Sequence, residues 1–497
     1  MNNLKRVLAG LSAITMSMSL AACSGSNQGG TPSDPGAPAA TTAAPGEEEE
    51  THETTTTTAA TVAINTEPIS DEEQAAVDSA TDKLRDIELE NKEIKWLCHW
   101  DLNPDTTGKS MPVPLSMFQT KYGGSIKWYP TTWESRYSDL STMVLGGEGI
   151  DFFQRDGDSL PKGIVSGMFE PIDEYIDIND PLYDDVRAAM DAYSFKGRHY
   201  AFVNSVSPDG AVIYSAKTID ENGLDDPWEL YQNGEWNWDT FTAILEEYCD
   251  AENEQYGLDG WWSEAPLYLS AGVPAISSKD GQMVVNLKDP NMEKAQNWMY
   301  SLYTKGLVFD KSLFDWSTQV QFMGEGKEVF FVAPLWTIQG DPATWTCPVP
   351  PEDVRCVPVP CPADAEELAY AVSASGYCLC KGAQNPLGVA LYVECELLAG
   401  QDPETVKVEE QKWRDDNQWN EDLIDQLHVL NEVCREHPVM EMANCVSKDL
   451  SDLLTYADTQ GIKASMHGTD WATTRDEMTD VVQMLVDEFN AQLAATE

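Results

Sequence analysis

The sequence predicts an α/β fold with mainly parallel strand pairing, preceded by an unfolded leader. Three observations carry that expectation. Short apolar runs suited to buried strands alternate with longer runs in which apolar residues recur at helical spacing. Two of the helical runs begin with proline and end at glycine, the asymmetry that helix termini favour. From 24 to about 66 the chain is Gly, Ser, Thr, Pro and Ala, broken by Glu47 to Glu50, and it holds too little apolar surface to fold.

Taken in order, Lys5 and Arg6 open a basic start, 7–22 is a mostly apolar, uncharged run, and small residues lead into Cys23. That is the layout of a secretory signal peptide, and the run is short for a membrane-spanning helix. Leu20-Ala21-Ala22-Cys23 resembles the lipobox of bacterial lipoproteins. That resemblance implies a signal over 1–22 and a lipid on Cys23 as the first mature residue; the other reading is an ordinary secretion signal with a chance cysteine. Residues 23–90 are expected to be a linker, with Thr54 to Thr58 and nearby prolines marking a stalk open to O-glycosylation and a short amphipathic helix over 74–89. The globular part is expected to begin near Lys92.

Residues 94–99 read as a strand. Thr131 and Glu134 form a capping-box pair ahead of Trp133, Tyr137, Leu140 and Val144 at helical spacing, and Gly146-Gly147 stops that helix. Residues 150–153 are a brief buried strand, and 159–168 is helix-like. Asp289-Pro290 and Asn385-Pro386 start helices that end at Gly306 and Gly400. Residues 471–493 form a long amphipathic helix with Met478, Val482, Leu485 and Phe489 on one face.

The 84 acidic against 31 basic residues give a net charge of −53, which repels nucleic acid and anionic headgroups. A neutral or cationic ligand is favoured over an anionic one, with surface solubility an equal reason for the acidity. Ten cysteines remain after Cys23, crowded at Cys347, Cys356, Cys361, Cys378 and Cys380. Their spacing is not that of a zinc site, and both disulfides and buried thiols remain open. Neither a metal nor a cofactor is expected. Asn103 to Ser110 imitates the end of a phosphate loop but lacks its first glycine, and Asp101, Asn103 and Asp105 imitate a calcium loop that lacks Gly at its sixth and Glu at its twelfth position. There is no HExxH and no GxSxG, and 84 acids make any pair of carboxylates uninformative as a hydrolase signal.

The 16 tryptophans are more informative. Several stand in Gly-, Asp- or Asn-rich loops: Trp100-Asp101, Trp133, Trp236-Asn237-Trp238, Trp261-Trp262 and Trp336. An exposed indole needs a partner surface. The flat apolar face of a pyranose is one, and neighbouring Asp, Asn and Arg then meet the hydroxyls.

Across 92–493 the chain resembles the extracellular solute-binding proteins, family 1, of ABC importers. The segments that carry the resemblance are Gly147-Glu-Gly-Ile-Asp151-Phe-Phe, Gly167-Met-Phe-Glu-Pro-Ile-Asp173-Glu-Tyr175, Gly197-Arg-His-Tyr200-Ala-Phe-Val203, Val212-Ile-Tyr214-Ser-Ala-Lys217, Gly223-Leu-Asp-Asp-Pro227 with Trp238-Asp239-Thr-Phe241, the strand up to Phe331, and Asn385-Pro386. Val203 stands where the family has proline, and the tail after Gly400 is long and acidic. The resemblance implies a type II periplasmic-binding-protein-like fold. Its two lobes, 91–204 with 334–373 and 205–333 with 374–497, are joined by crossings near Asn204, Pro334 and Ser373. The function it implies is capture of a sugar or oligosaccharide in the interlobe cleft and delivery to ABC permease subunits. No bond is broken, and the protein is a lipid-anchored monomer outside the membrane. The candidate ligand-binding residues are Trp100, Asp101, Trp133, Arg155, Asp156, Asn204, Trp261, Trp262 and Trp336. The competing readings are a surface glycoside hydrolase, a carbohydrate-binding adhesin, and a peptide or polyamine as ligand.

Overall fold

The computed structural model describes residues 70–103, 111–314, 317–456 and 460–496. Cys23, the signal segment, the stalk and most of the imitation phosphate loop lie outside the described residues. Fourteen strands occur among the described residues. In chain order they are β1 (Glu93–Cys98), β2 (Ser125–Pro130), β3 (Phe152–Gln154), β4 (Ser194–Phe195), β5 (Arg198–His199), β6 (Ala201–Pro208) and β7 (Ala211–Ser215). They continue as β8 (Tyr256–Gly260), β9 (Ile276–Lys279), β10 (Gln282–Val285), β11 (Glu328–Ala333), β12 (Val354–Pro358), β13 (Tyr370–Leu379) and β14 (Pro438–Val439).

Two sheets define two lobes. In the first, β2, β1 and β3 run parallel, β13 lies antiparallel against β3, and β6 and β14 pair with β13. In the second, the order is β12-β7-β11-β8, with β11 and β8 parallel and β7 antiparallel to both its neighbours. The first sheet buries Trp96, Phe152 and Tyr377 beneath the helices Val113–Tyr122 and Pro386–Gln401, with Trp96 stacked on Phe152 at 4.7 Å. The second lobe is centred on Trp238 and Trp298, stacked at 4.4 Å, with Phe241 and Phe330 beside them. Trp236 and Trp238, expected in an open loop, are therefore core: their indole nitrogens donate to Pro358 O (2.7 Å) and Ser270 Oγ (3.0 Å).

Strand direction decides where the lobes meet. β3 pairs with only the last three residues of β13, while β6 and β13 run on together from Val203 to Pro208. Six residues at strand rise make a ribbon of about 20 Å beyond the first sheet. At Gly376 the register of this ribbon shifts, and a Cβ there would sit 1.9 Å from Phe202 O, so only glycine fits. Past Asp209 and Gly210 the chain enters β7, whose first residue, Ala211, pairs with Ala333, the last of β11. The carboxyl ends of β8 and β11 thus lie where the ribbon arrives, and so do the carboxyl ends of the first sheet's parallel strands.

The pairing corrects the expected crossings. Residues 334–373 do not return to the first lobe as a block, because Val354–Pro358 pairs along β7 in the second sheet. The return comes between Pro358 and Tyr370. Residues 374–497 are likewise shared: Tyr377 to Leu379 pair with β3, and the helix Pro386–Gln401 packs on the first lobe. Asp151 fastens that helix. Its carboxylate accepts from the backbone of Lys95 (2.8 Å), Gln384 (2.6 Å) and Asn385 (2.7 Å), so it ties β1 to the helix start.

The folded body also begins earlier than the expected position near Lys92. The folded body includes the helix Asp71–Thr81, capped by Ser70, with Val77 and Ala80 fully buried. Behind it Arg85 donates through two nitrogens to the buried Glu394, and Lys83 pairs with Asp402. The helix predicted from Thr131 starts later, at Arg136, because the Thr131 and Ser135 hydroxyls are taken by Asp139. The ten described cysteines are free thiols, nine of them buried. The long helices Pro290–Thr304 and Trp471–Ala495 match their predicted spans to within two residues.

Asn204 and Tyr377, on the two ribbon strands, both donate to Glu396, at 2.8 and 2.6 Å. Burial pushes this carboxyl up to about 7 from 4.5, against those hydrogen bonds. Between pH 4.5 and 7 the folded protein therefore holds a proton that the unfolded chain releases, and its stability falls as pH rises through that window. The Glu396→Gln variant is expected to be more stable than the parent by about 3 kcal/mol at pH 8 and by under about 1 kcal/mol at pH 5. Urea denaturation at the two pH values reads this; an equal difference at both would contradict it.

Candidate functional site

Nearly every side chain singled out in the sequence follows the carboxyl end of a strand. Trp100 comes two residues after β1, and its exposed ring meets the edge of Trp96 at 5.5 Å. Asp101 closes a turn by accepting from the backbone and side-chain nitrogens of Asn103 (3.0 and 2.9 Å). Trp133 follows β2 and is 51% exposed. The Arg136 guanidinium lies 3.6 Å from the Trp133 ring centroid, and the His99 ring meets it edge-on at 5.3 Å.

Arg136 is itself held by Asp156 at 3.0 Å, with both side chains over nine-tenths buried. The other Asp156 oxygen accepts from the Tyr137 hydroxyl and from Asp158 N (3.0 Å). Asp156 thus braces the Trp133 platform. Arg155 turns inward: it is buried, donates to the Tyr193 hydroxyl, and its Nε has no partner. Asn204 gives its amide to Glu396.

The second lobe presents three rings together. Trp261 and Trp262 follow β8, and Trp336 sits on the 3-10 turn Leu335–Ile338 after β11. Their centroids are 6.2 Å (261–262), 5.6 Å (261–336) and 6.3 Å (262–336) apart. Trp262 is 60% and Trp336 47% exposed. The local geometry is tight. A Cβ on Gly260 would lie 2.1 Å from Val332 O, and Trp262 adopts φ +56°, which a bulky residue accepts only under constraint. Beside the rings is a cavity of about 410 Å³, lined by Trp261, Trp262, Glu264, Lys311, Lys463 and His467 among others. Against the cost of burial, the His467 hydrogen bond and the charges of Lys463 and Lys311 hold the Glu264 carboxyl below its usual range.

Three further groups belong to this region. Asp209 lies at the turn between β6 and β7; burial pushes its carboxyl up, against the pull of Arg155. Tyr456 is exposed on the π-helical turn Asp452–Tyr456, within the electrostatic reach of Asp158, Arg136 and Asp156. Asn444 sits 3.8 Å from where a Gly157 Cβ would be, and Thr455 donates to it at 2.6 Å. Asp209 carried a sequence signal, its place between Pro208 and Gly210 at the crossing; Tyr456 and Lys463 carried none. A larger groove of about 1460 Å³, lined by Glu396, Asp341, Trp413, His428 and Arg435, takes in none of the exposed rings that follow strand ends.

The family model of bacterial extracellular solute-binding proteins matches residues 115–406. The chain belongs to that family. Over 210 residues it is 26% identical to the maltotriose-binding protein of Pyrococcus abyssi, a match spanning 40% of each chain and so less than half that relative's length. Its fold is similar to that of an ABC substrate-binding protein of Listeria monocytogenes in complex with cycloalternan (TM-score 0.55, 14% identity, 81% of this chain and 99% of that one). It is similar too to an extracellular solute-binding protein of Staphylococcus aureus in complex with maltose (TM-score 0.56, 12% identity, 80% and 99%). A Rhizobium etli sugar transporter protein in an open conformation gives a TM-score of 0.57 at 15% identity, over 79% and 99% of the two chains. In this family fold the two lobes seen here are expected, and no described helix is long and apolar enough to cross a membrane.

Removing the cation under Trp133 tests the platform. Arg136→Met leaves the buried Asp156 carboxylate with only the Tyr137 hydroxyl and Asp158 N as donors and no counter-charge in contact among the described residues, with an expected loss of about 3 kcal/mol in denaturant unfolding. The double variant with Asp156→Asn is expected to recover part of that loss, which would show the two residues act as a pair.

Proposed function

We propose that this protein captures a sugar or oligosaccharide between its lobes and delivers it to the permease subunits of an ABC importer, without breaking a bond. One observation carries the reading: exposed tryptophans follow the carboxyl ends of strands in both sheets, Trp100 and Trp133 on one and Trp262 and Trp336, with the half-buried Trp261 between them, on the other. Ligands of open α/β sheets lie outside those strand ends. Indole faces match the apolar faces of sugar rings, and Asp101, Asp209 and Tyr456 supply polar atoms nearby. Arg155, Asp156 and Asn204 serve the same site from behind, Asp156 by bracing Arg136 and Asn204 by holding the ribbon. The maltotriose-binding relative supports a carbohydrate ligand. The protein works as a monomer on the outer face of the membrane, held by a lipid on Cys23. Binding shifts the lobes toward a closed form that the importer reads.

Titrating the purified protein with neutral mono- and oligosaccharides, read by tryptophan fluorescence, is expected to give saturable quenching for at least one sugar. Trp262→Ala and Trp336→Ala are each expected to weaken it about tenfold. A response to peptides or polyamines alone would overturn the reading, as would sustained release of reducing sugar.

A further inference from the structure

The cavity beside Trp261 and Trp262 has an unusual balance of charge for so acidic a chain. Lys311 Nζ is held by Asp259 Oδ1 (3.0 Å) and donates to Gly260 O (3.2 Å), and among the described residues it has no further acceptor. Glu264, the carboxylate on the lining, is engaged by His467 at 3.5 Å. Lys463 is different. It is half-buried on the 3-10 stretch Gly461–His467, and among the described residues no carboxylate lies within ion-pair distance of its ammonium. Among the described residues, the lining thus brings two ammonium groups, Lys463 and Lys311, beside one carboxylate, Glu264, and the Lys463 ammonium has no ion-pair partner there.

We propose, resting on the sugar-capture reading, that the sugar unit bound against Trp261 and Trp262 carries a carboxylate, and that Lys463 selects it. An indole wall with an ammonium at its edge fits an acidic pyranose, such as a uronic or sialic acid, whose ring is flat and whose carboxylate projects from the rim. A cavity of about 410 Å³ is in the range that encloses a small ligand. The chain's overall charge does not forbid this. At physiological ionic strength charges beyond about 8 Å are largely screened, so the lining residues set the local field. A neutral sugar also meets these donors, but without the added strength of a charge-assisted bond.

The test compares matched pairs by calorimetric titration of the purified protein: trigalacturonate against galactotriose, and sialyllactose against lactose. In one pair or both, the acidic member is expected to bind at least about tenfold tighter. That preference is expected to shrink at high salt, to disappear in Lys463→Gln, and to survive in large part in Lys463→Arg. Thermal melting of each variant shows that it is folded. Equal or tighter binding of the neutral members overturns the inference and leaves sugar capture standing, and so does binding of other neutral sugars with no response to either acid. An acidic preference that survives Lys463→Gln overturns the role of Lys463. Failure of every sugar overturns the capture reading itself.

Discussion

The antiparallel ribbon of β6 and β13 is the constraint on which the rest of the architecture depends. It leaves the first sheet beside β3 and feeds directly into β7 of the second. Because β7 runs antiparallel to β11, its arrival places the ends of β11 and β8, rather than their starts, at the junction. Reversal of either pairing would carry the tryptophans to the far side of a lobe. The ribbon itself is held by backbone hydrogen bonds, a glycine that lets the strands approach, and a carboxyl, Glu396, that receives one donor from each strand.

Buried acids do much of the remaining fastening. Asp151 ties β1 to the helix Pro386–Gln401, Glu394 receives Arg85 from the docked amino-terminal segment, and Glu441 accepts from the backbone of Ala275 (2.7 Å), Ile276 (3.0 Å) and Ala443 (2.9 Å). Each joins segments distant in sequence, and each carboxylate is met by several hydrogen bonds, which is what allows a charge to be buried at tolerable cost. The acidity of the chain is thus partly structural. The helices Val113–Tyr122 and Pro403–Asp416 pack against the docked helix Asp71–Thr81.

The two sets of exposed rings are stiffened in different ways. Trp133 rests on a guanidinium whose own position is fixed by a buried carboxylate. The second-lobe rings are fixed by close backbone packing at Gly260 and by the left-handed backbone of Trp262. In both cases rotamer freedom is lost on folding, so little further ordering is required when a ligand arrives.

The sequence by itself determined the elements whose forces are local. Proline-started helices and short apolar strands follow from the residues within a few positions of one another, and they lie where periodicity put them. The order of motifs was enough to point to two lobes. Only the tertiary structure decided which segments belong to which lobe, because Val354–Pro358 could pair in either sheet and its partner is fixed by β7, over a hundred residues away. The same holds for the site. Trp236-Asn237-Trp238 and Trp261-Trp262 read alike as sequence, yet the first set is buried in the core while Trp262 of the second stands exposed. Asp156 and Arg155 read as ligand clamps, yet a buried arginine from the preceding helix claims the first and a tyrosine the second. Burial is a sum over partners brought together by the fold, and no window of the sequence contains them.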